Sequence, residues 1–411
     1  MIFHRNKEYY ISKGDSQREA NQFKEALKSY SEAIKLDSND PSLFNKRGIV
    51  YSELEELNNA ISDFTKAIKI NPNYSKAYFN RSLRYSEIDK LKEAINDISE
   101  YIKQNPDDHK GYNMKGTYYV KADNYDKAIE EFSTSIDKSP NVDAYSYLGS
   151  IYFGRNDYDN ALSNFTSAYN ISPKDVIVCD LLGQTLFHLK RDEDAKKYLK
   201  SAIDLKSTDE NTYFCMGLLY QGKKELTEAV SYHLKAISFD DKFFEAHGNL
   251  GMCYSGMREF EKGITHLEKA IELDTNESLS YLTHTFLSKC YCGMSKFEKG
   301  KIHLKRALDL NPPDSEVGKL KKLLEKVDIK LRKKQEQTRN TLKVNQRHEK
   351  EQQENQQIII RVKNGYVYPC VLFSNSNVKC LFGHPIMRGA NGCDSSDPPC
   401  YYWAKHIESI M

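Results

Sequence analysis

Residues 43–72, LFNKRGIVYSELEELNNAISDFTKAIKINP, contain the pattern that decides the fold of this chain. Gly48 is followed twelve residues later by a second small residue, Ala60, and large side chains lie at regular offsets around both. Phe44 and Tyr51, four residues before and three after Gly48, share one face of a helix. The final proline ends a second helix, because proline has no N–H to continue it. The stretch therefore predicts two amphipathic helices joined by a short turn.

The same pattern recurs along most of the chain with a period close to 34 residues. The first small residues of the units are Gly14, Gly48, Ser82, Gly116, Gly149, Gly183, Gly217, Gly251 and Ser288. The second small residues are Ala26, Ala60, Ala94, Ala128, Ala161, Ala195, Ala229, Gly263 and Gly300. One unit of this length does not bury its own apolar stripe, so neighbouring units must stack into a continuous core.

This pattern resembles the tetratricopeptide repeat (TPR) family, whose signature is aromatic, small, tyrosine, alanine, aromatic, alanine and proline at positions 44, 48, 51, 60, 64, 67 and 72. The resemblance covers residues 7 to about 314 and implies an all-α fold, a right-handed superhelix (α-α solenoid) of nine stacked helix pairs. The expected repeats are 7–40, 41–74, 75–108, 109–141, 142–175, 176–209, 210–243, 244–277 and 281–314.

Two further segments follow the repeats. In residues 315–356, Leu320, Leu324 and Val327 lie on one helical face, which predicts a C-terminal capping helix. The polar, Gln-rich run that follows is expected to be a linker or a solvated helix. Residues 357–411 form a tail in which IIIRVKNGYVYPCVLF has two β-prone runs around an Asn-Gly turn. We expect a short irregular or β element there.

The tail also concentrates side chains that bind metals. The candidate ligands are Cys370, Cys380, His384, Cys393 and Cys400. Structural zinc sites usually present their cysteines in close pairs, and no C-x-x-C spacing occurs here. We therefore expect no metal site, and these five residues are the candidates if the tail does bind an ion.

Composition and motifs limit the classes of partner and activity that the chain is expected to have. Sixty basic and 58 acidic residues give a formal net charge of +2, which favours neither nucleic acid nor an anionic membrane as a partner. The nine cysteines, the absence of a secretory signal and the absence of a long apolar run predict a cytoplasmic or nuclear protein. No phosphate-binding loop, nucleophile elbow or HExxH motif occurs, so we expect neither catalysis nor a cofactor. His233, His247 and His284 occupy positions where aromatic residues pack, and we interpret them as core residues.

In the family that the chain resembles, the first helix of each repeat lines a concave face that binds a protein or peptide. This implies a binding groove, and its polar N-terminal half would contain Asn45, Lys46, Lys76, Asn80, Lys110 and Asn113. Its more apolar C-terminal half would contain Tyr147, Phe153, Gln184, Phe187, Phe214, Asn249 and Phe286. Both an extended peptide and an amphipathic helix suit such a groove.

One partner known for the family is not expected here. Co-chaperones of this family hold the C-terminal carboxylate of heat-shock chaperones with a clamp of lysine, two asparagines, lysine and arginine. Asn80 and Lys110 match that clamp, but Asn45, Ile49 and Met114 stand where lysine, asparagine and arginine belong. Without those donors the grip on a carboxylate is weak.

The sequence therefore predicts a non-enzymatic scaffold that binds a partner in its groove. Two alternatives stay open: a structural subunit of a large fixed assembly, and an enzyme-associated subunit with a metal-binding C-terminal tail.

Overall fold

A computed structural model describes residues 6–275 and 280–363 of the chain, and the side chains of residues 6–275 and 281–353. All regular elements in this part are α-helices. The helices are α1 (Lys7–Glu19), α2 (Phe23–Leu36), α3 (Pro41–Glu53), α4 (Leu57–Ile70), α5 (Ser75–Glu87), α6 (Leu91–Gln104), α7 (His109–Lys121), α8 (Tyr125–Lys138), α9 (Val142–Gly154), α10 (Tyr158–Ile171), α11 (Val176–His188), α12 (Asp192–Asp204), α13 (Glu210–Gly222), α14 (Leu226–Phe239), α15 (Phe244–Gly256), α16 (Phe260–Leu273), α17 (Ser280–Gly293), α18 (Phe297–Asp309) and α19 (Asp314–Lys363).

From α1 to α18 the helices pack in sequence order. Each odd-numbered helix packs against the even-numbered helix that follows it, and each even-numbered helix packs against the next odd-numbered one. Each predicted repeat range corresponds to one odd and one even helix, with α17 beginning at Ser280, one residue before the ninth range. We call them the first and second helix of the repeat. The expected all-α solenoid is confirmed.

The two helices of a repeat meet where a small residue faces a large one. A Cβ added to Gly48 would lie 2.7 Å from Cε1 of Phe64, and one added to Gly149 would lie 2.5 Å from Cε1 of Phe165. Both rings are fully buried. Such distances leave no room for a side chain, so glycine is required where these helices approach.

The turn inside each repeat has a recurring backbone conformation. Glu55, Asp89, Asp123 and Lys190 each have a positive φ, between 54° and 60°. This left-handed residue ends the first helix and redirects the chain into the second, a role that glycine usually fills. Here the neighbouring helix contacts hold residues with side chains in the same conformation.

The last helix begins as a cap. Leu320 and Val327 of α19 are buried against Leu304 and Ala307 of α18, which covers the apolar end of the ninth repeat. This cap belongs to a compact unit of residues 1–330, and a second unit comprises residues 331–411. In the second unit, α19 continues to Lys363, and its side chains from residue 332 to 353 are exposed.

The structure decides between the two expectations for the polar run after the cap. The run, expected to be a solvated helix or a linker, is helical, and α19 extends from there through Ile358 to Lys363, the start of the first β-prone run. Lysine, glutamate and glutamine favour helix without an apolar stripe, which explains why periodicity gave no signal. The remainder of the tail lies outside the described residues. Within the described part, no helix has the length and apolar character needed to cross a membrane.

Candidate binding surface

The predicted groove residues lie on first helices, which pack side by side along the array. Helix α3 contacts α5, and α9, α11, α13, α15 and α17 contact one another in succession. The side chains that these helices present away from the second helices form what we call the first-helix surface. This surface forms a strip in which first helices contact one another directly between α3 and α5 and from α9 to α17.

Several polar residues on this surface link neighbouring repeats. Asn80 Nδ2 donates a hydrogen bond to Asn45 Oδ1 at 2.9 Å, which joins α5 to α3. Lys46 Nζ lies 2.6 Å from Asp15 Oδ1, which joins α3 to α1. Asn45, Lys46 and Asn80 thus lie on neighbouring first helices, and each makes a polar contact within the chain.

Two further amides contact the residue that caps the next first helix. Asn113 Nδ2 donates to Asn141 Oδ1 at 2.9 Å, and Asn141 caps α9. Gln184 is buried, and its Nε2 donates to Oδ2 of Asp209, the cap of α13, at 2.7 Å. These side chains fix the register between repeats, and Gln184 has little surface left for a ligand.

A buried carboxylate that the sequence interpretation missed lies beside Gln184. Asp180 accepts hydrogen bonds from Thr212 Oγ1 at 2.6 Å and from Ser207 Oγ at 2.9 Å. Burial raises the pKa of Asp180 to about 6, and the two hydroxyl donors oppose that increase. The cluster ties α11 to α13 through charge-assisted hydrogen bonds.

The predicted basic residues are the most accessible part of the N-terminal half. The side chains of Lys76 and Lys110 are exposed, and both lie at the second position of a first helix, α5 and α7. The next predicted residue, Tyr147, is 40% exposed, and its ring stacks on Phe132 with centroids 5.0 Å apart. The surface thus presents two exposed cations on α5 and α7 and an exposed aromatic ring on α9.

The aromatic residues of α9 and α11 are half-buried. Phe153 contacts Tyr158 and His188 edge-on, at centroid distances of 5.4 and 5.3 Å. Phe187 packs against the core formed by the fifth to seventh repeats, and Lys190 Nζ lies 5.4 Å from the centroid of its ring. Each ring thus contributes to inter-repeat packing and keeps part of its area open.

The predicted residues of the last three repeats are also partly packed within the chain and partly open. Phe214 packs against Phe243, with centroids 4.9 Å apart. Asn249 Nδ2 donates to the backbone carbonyl of Glu245 in its own helix at 2.9 Å. Phe286 is half-buried, and Lys289 Nζ lies 4.0 Å from its ring centroid. The aromatic faces, more than the amides, are left for a partner in this half.

Two exposed apolar residues on first helices escaped the sequence interpretation. Ile177 of α11 is 66% exposed and Leu282 of α17 is 43% exposed. Both occupy the second position of their repeat, the position that holds Lys76 and Lys110 in the third and fourth repeats. The register of the repeat was the signal that would have found them.

The core histidines and the cysteines were also placed by the structure. His233 and His247 are buried, as expected for core positions, whereas His284 is half-buried. Cys179, Cys215, Cys253, Cys290 and Cys292 are free thiols. In the described part of the chain, no group of three or more His, Cys, Asp or Glu side chains is arranged to hold a metal. The five tail candidates for zinc lie outside that part.

Family models match several of the helix pairs. Those described as TPR repeat or tetratricopeptide repeat match residues 14–55, 41–74, 113–176, and 177–209 together with 244–277. The chain belongs to the tetratricopeptide repeat family. Proteins of this family are in general non-catalytic scaffolds that bind other proteins or peptides.

Several solved structures are similar to this tetratricopeptide repeat protein. One is a tetratricopeptide repeat protein from Parabacteroides merdae ATCC 43184, with 19% sequence identity and a TM-score of 0.45. The similarity covers 59% of this chain and 97% of that one. The APC/C hetero-tetramer Cut9-Hcn1 has 17% identity and a TM-score of 0.46, with coverage of 78% and 76%. MamA has 27% identity and a TM-score of 0.37, with coverage of 38% and 92%. A comparison with curated protein sequences found no match.

Proposed function

We propose that this protein is a non-enzymatic scaffold that holds a segment of a partner protein on its first-helix surface. The observation that carries the proposal is the unbroken series of first helices from α9 to α17, which presents partly open aromatic side chains in consecutive repeats. Stacked repeats of this kind provide an extended surface that a single globular domain lacks.

The composition of the strip indicates the chemistry of the segment. Lys76 and Lys110 are exposed cations, so the part of the ligand that lies over α5 and α7 is acidic or polar. From α9 onward, Tyr147, Phe187 and Ile177 offer open apolar area. The part of the ligand that lies over these helices would bury apolar side chains there.

Because several amides on the surface already bond within the chain, binding would rest on side-chain burial and charge. Gln184 donates to Asp209, and Asn249 donates to its own helix backbone. Backbone groups of an extended ligand would therefore find few free amide partners in the C-terminal half. We propose recognition through the ligand's side chains.

The proposal is tested with peptides selected from a phage-displayed library on the full chain. Lys76→Glu combined with Lys110→Glu should weaken binding of the selected peptides, because it reverses the charge of the strip. Lys69→Glu combined with Lys103→Glu is the matched control, since both lysines are exposed on second helices. Ile177→Glu separately tests the apolar half.

Fluorescence anisotropy measures the affinities of these variants. We expect a loss of about tenfold or more for the first-helix variants and no change for the control. Equal affinity in all variants, or a loss confined to the second-helix pair, would contradict the proposal.

A further inference from the structure

The eighth and ninth repeats each contain a pair of histidines whose ring nitrogens face each other. In the eighth, Nδ1 of His247 on α15 lies 3.1 Å from Nδ1 of His266 on α16. In the ninth, Nδ1 of His284 on α17 lies 3.1 Å from Nδ1 of His303 on α18. The ring centroids are 5.3 Å apart in both pairs. The same geometry thus occurs twice, with the same spacing of 19 residues between partners.

This separation of nitrogens suits two ligands on one metal ion. Zinc lies about 2.0 to 2.1 Å from an imidazole nitrogen, so tetrahedral coordination puts two ligand nitrogens about 3.3 Å apart. Without metal, one Nδ1 of each pair carries the proton of a hydrogen bond to the other. If that proton moves to Nε2 of its own ring, both Nδ1 lone pairs become available to one ion. We propose that each histidine pair chelates one divalent transition-metal ion of the kind that imidazole prefers, with Zn²⁺ as the probe.

Hydrogen bonding supports this assignment in the eighth repeat. His247 Nε2 lies 3.3 Å from the backbone carbonyl oxygen of Asp241, which only accepts hydrogen bonds. Nε2 therefore carries the proton, and the Nδ1 lone pair points toward His266. Histidines that bind metals typically donate their second ring N–H to a carbonyl or carboxylate in this way, which fixes the ring and its tautomer.

The surroundings hold the rings in place. The ring of Tyr254 lies 5.8 Å from that of His266, and the ring of Tyr291 lies 5.4 Å from that of His303, nearly parallel in each case. Each pair is thus packed against a tyrosine at the same position of its repeat.

Each site would have two protein ligands and open positions. Since the described residues contain no group of three or more potential ligands, water would complete the coordination of each ion. Such a site lies at the contact between the first and second helix of a repeat. Metal binding would therefore join α15 to α16 and α17 to α18, and would stabilise the folded C-terminal repeats.

The test is a calorimetric titration of the full chain with Zn²⁺, in the presence of a reductant that keeps the cysteines as thiols. His266→Gln and His303→Gln each replace one ligand with an amide that can still hydrogen-bond to the facing imidazole. We expect each single variant to bind one ion fewer than the wild type, and the double variant to bind two fewer. The cysteines of the tail are the same in all of these chains. Any ions that they bind therefore do not change the difference in ion number between wild type and variant.

His233→Phe is the matched control. His233 lies on the second helix of the seventh repeat and contacts Gln221, at a position held by phenylalanine in the second, fourth and fifth repeats. This variant should bind as many ions as the wild type. Co²⁺ absorption gives a second readout, because ions at the histidine pairs lack the thiolate charge-transfer band. The same number of ions in the wild type and the double variant would overturn the proposal, provided circular dichroism shows both folded.

Discussion

Arg47 and Asp63 form a two-point ion pair between the helices of the second repeat, with Nε–Oδ2 at 2.7 Å and Nη2–Oδ1 at 2.9 Å. Arg47 Nη1 also donates to Ser31 Oγ in the first repeat at 3.0 Å. Arg81 and Asp97 repeat this arrangement one unit later, with distances of 2.7 and 2.8 Å. A half-buried guanidinium thus joins the two helices of its own repeat and the repeat before it.

Removal of one member of this pair should be costly. Asp63 is almost fully buried, so Asp63→Ala leaves the Arg47 guanidinium without its counter-charge. We expect the free energy of unfolding to fall by about 3 kcal/mol, measured by urea denaturation followed by circular dichroism. The control is Asp126→Ala, which removes an exposed ion pair with Arg155 and should have little effect. Similar losses in both variants would contradict the role given to the buried pair.

The small residues at the helix contacts provide a second test. A Cβ at Gly183 would lie 2.8 Å from Cδ2 of Leu199 and 2.9 Å from its backbone nitrogen, whereas one at Gly154 would meet nothing within 4 Å. Gly183→Ala should therefore force α11 and α12 apart and lower stability by about 1 to 3 kcal/mol. Gly154→Ala should maintain or raise stability, because alanine favours helix over glycine. The melting temperatures of the two variants test this prediction. A similar increase in both would contradict a close contact between α11 and α12 at Gly183.

Asp180 predicts a specific dependence of stability on pH. Its pKa is raised to about 6 in the folded chain, above the ordinary value of 3.8, so the folded state holds this proton more tightly. The stability contributed by Asp180 is therefore present at low pH and falls as the pH rises through about 6. Asp180→Asn removes this titration, while its amide can still bond to Thr212 and Ser207. The melting temperature of the variant, relative to wild type, should increase between pH 4 and pH 7.

Asp192→Asn serves as the control for this titration, because Asp192 is exposed at the start of α12. Its melting temperature should follow the wild-type pH profile. If Asp180→Asn follows that profile as well, Asp180 does not titrate as described.

The sequence predicted the fold well because the contacts that make it are local and periodic. Gly48 and Phe64 lie within one repeat, and their spacing recurs along the chain, so the pattern itself specified where helices meet. The extent of α19 was left open by the sequence, because its exposed part, residues 332–353, has no apolar face to produce a period. Periodicity detects helices that pack, whereas a solvated helix depends on residue propensities alone.

The contacts of the first-helix surface were predicted less completely, since they depend on how one repeat is rotated against the next. Asn80 was correctly assigned to a first helix, but its bond to Asn45 depends on the distance between α3 and α5. The partners of His247 and His284 were missed for a related reason. His266 and His303 lie on second helices, and only the packing of each helix pair brings the facing nitrogens to 3.1 Å.

Amide hydrogen exchange of the full chain, with and without a selected peptide ligand, tests the proposed scaffold function most directly. A ligand seated on the first-helix surface should slow exchange in consecutive first helices, above all in α9, α11 and α13, and should leave α10 and α12 less affected. Slowed exchange confined to second helices, or to residues beyond 330, would contradict the proposal that the first helices hold the partner.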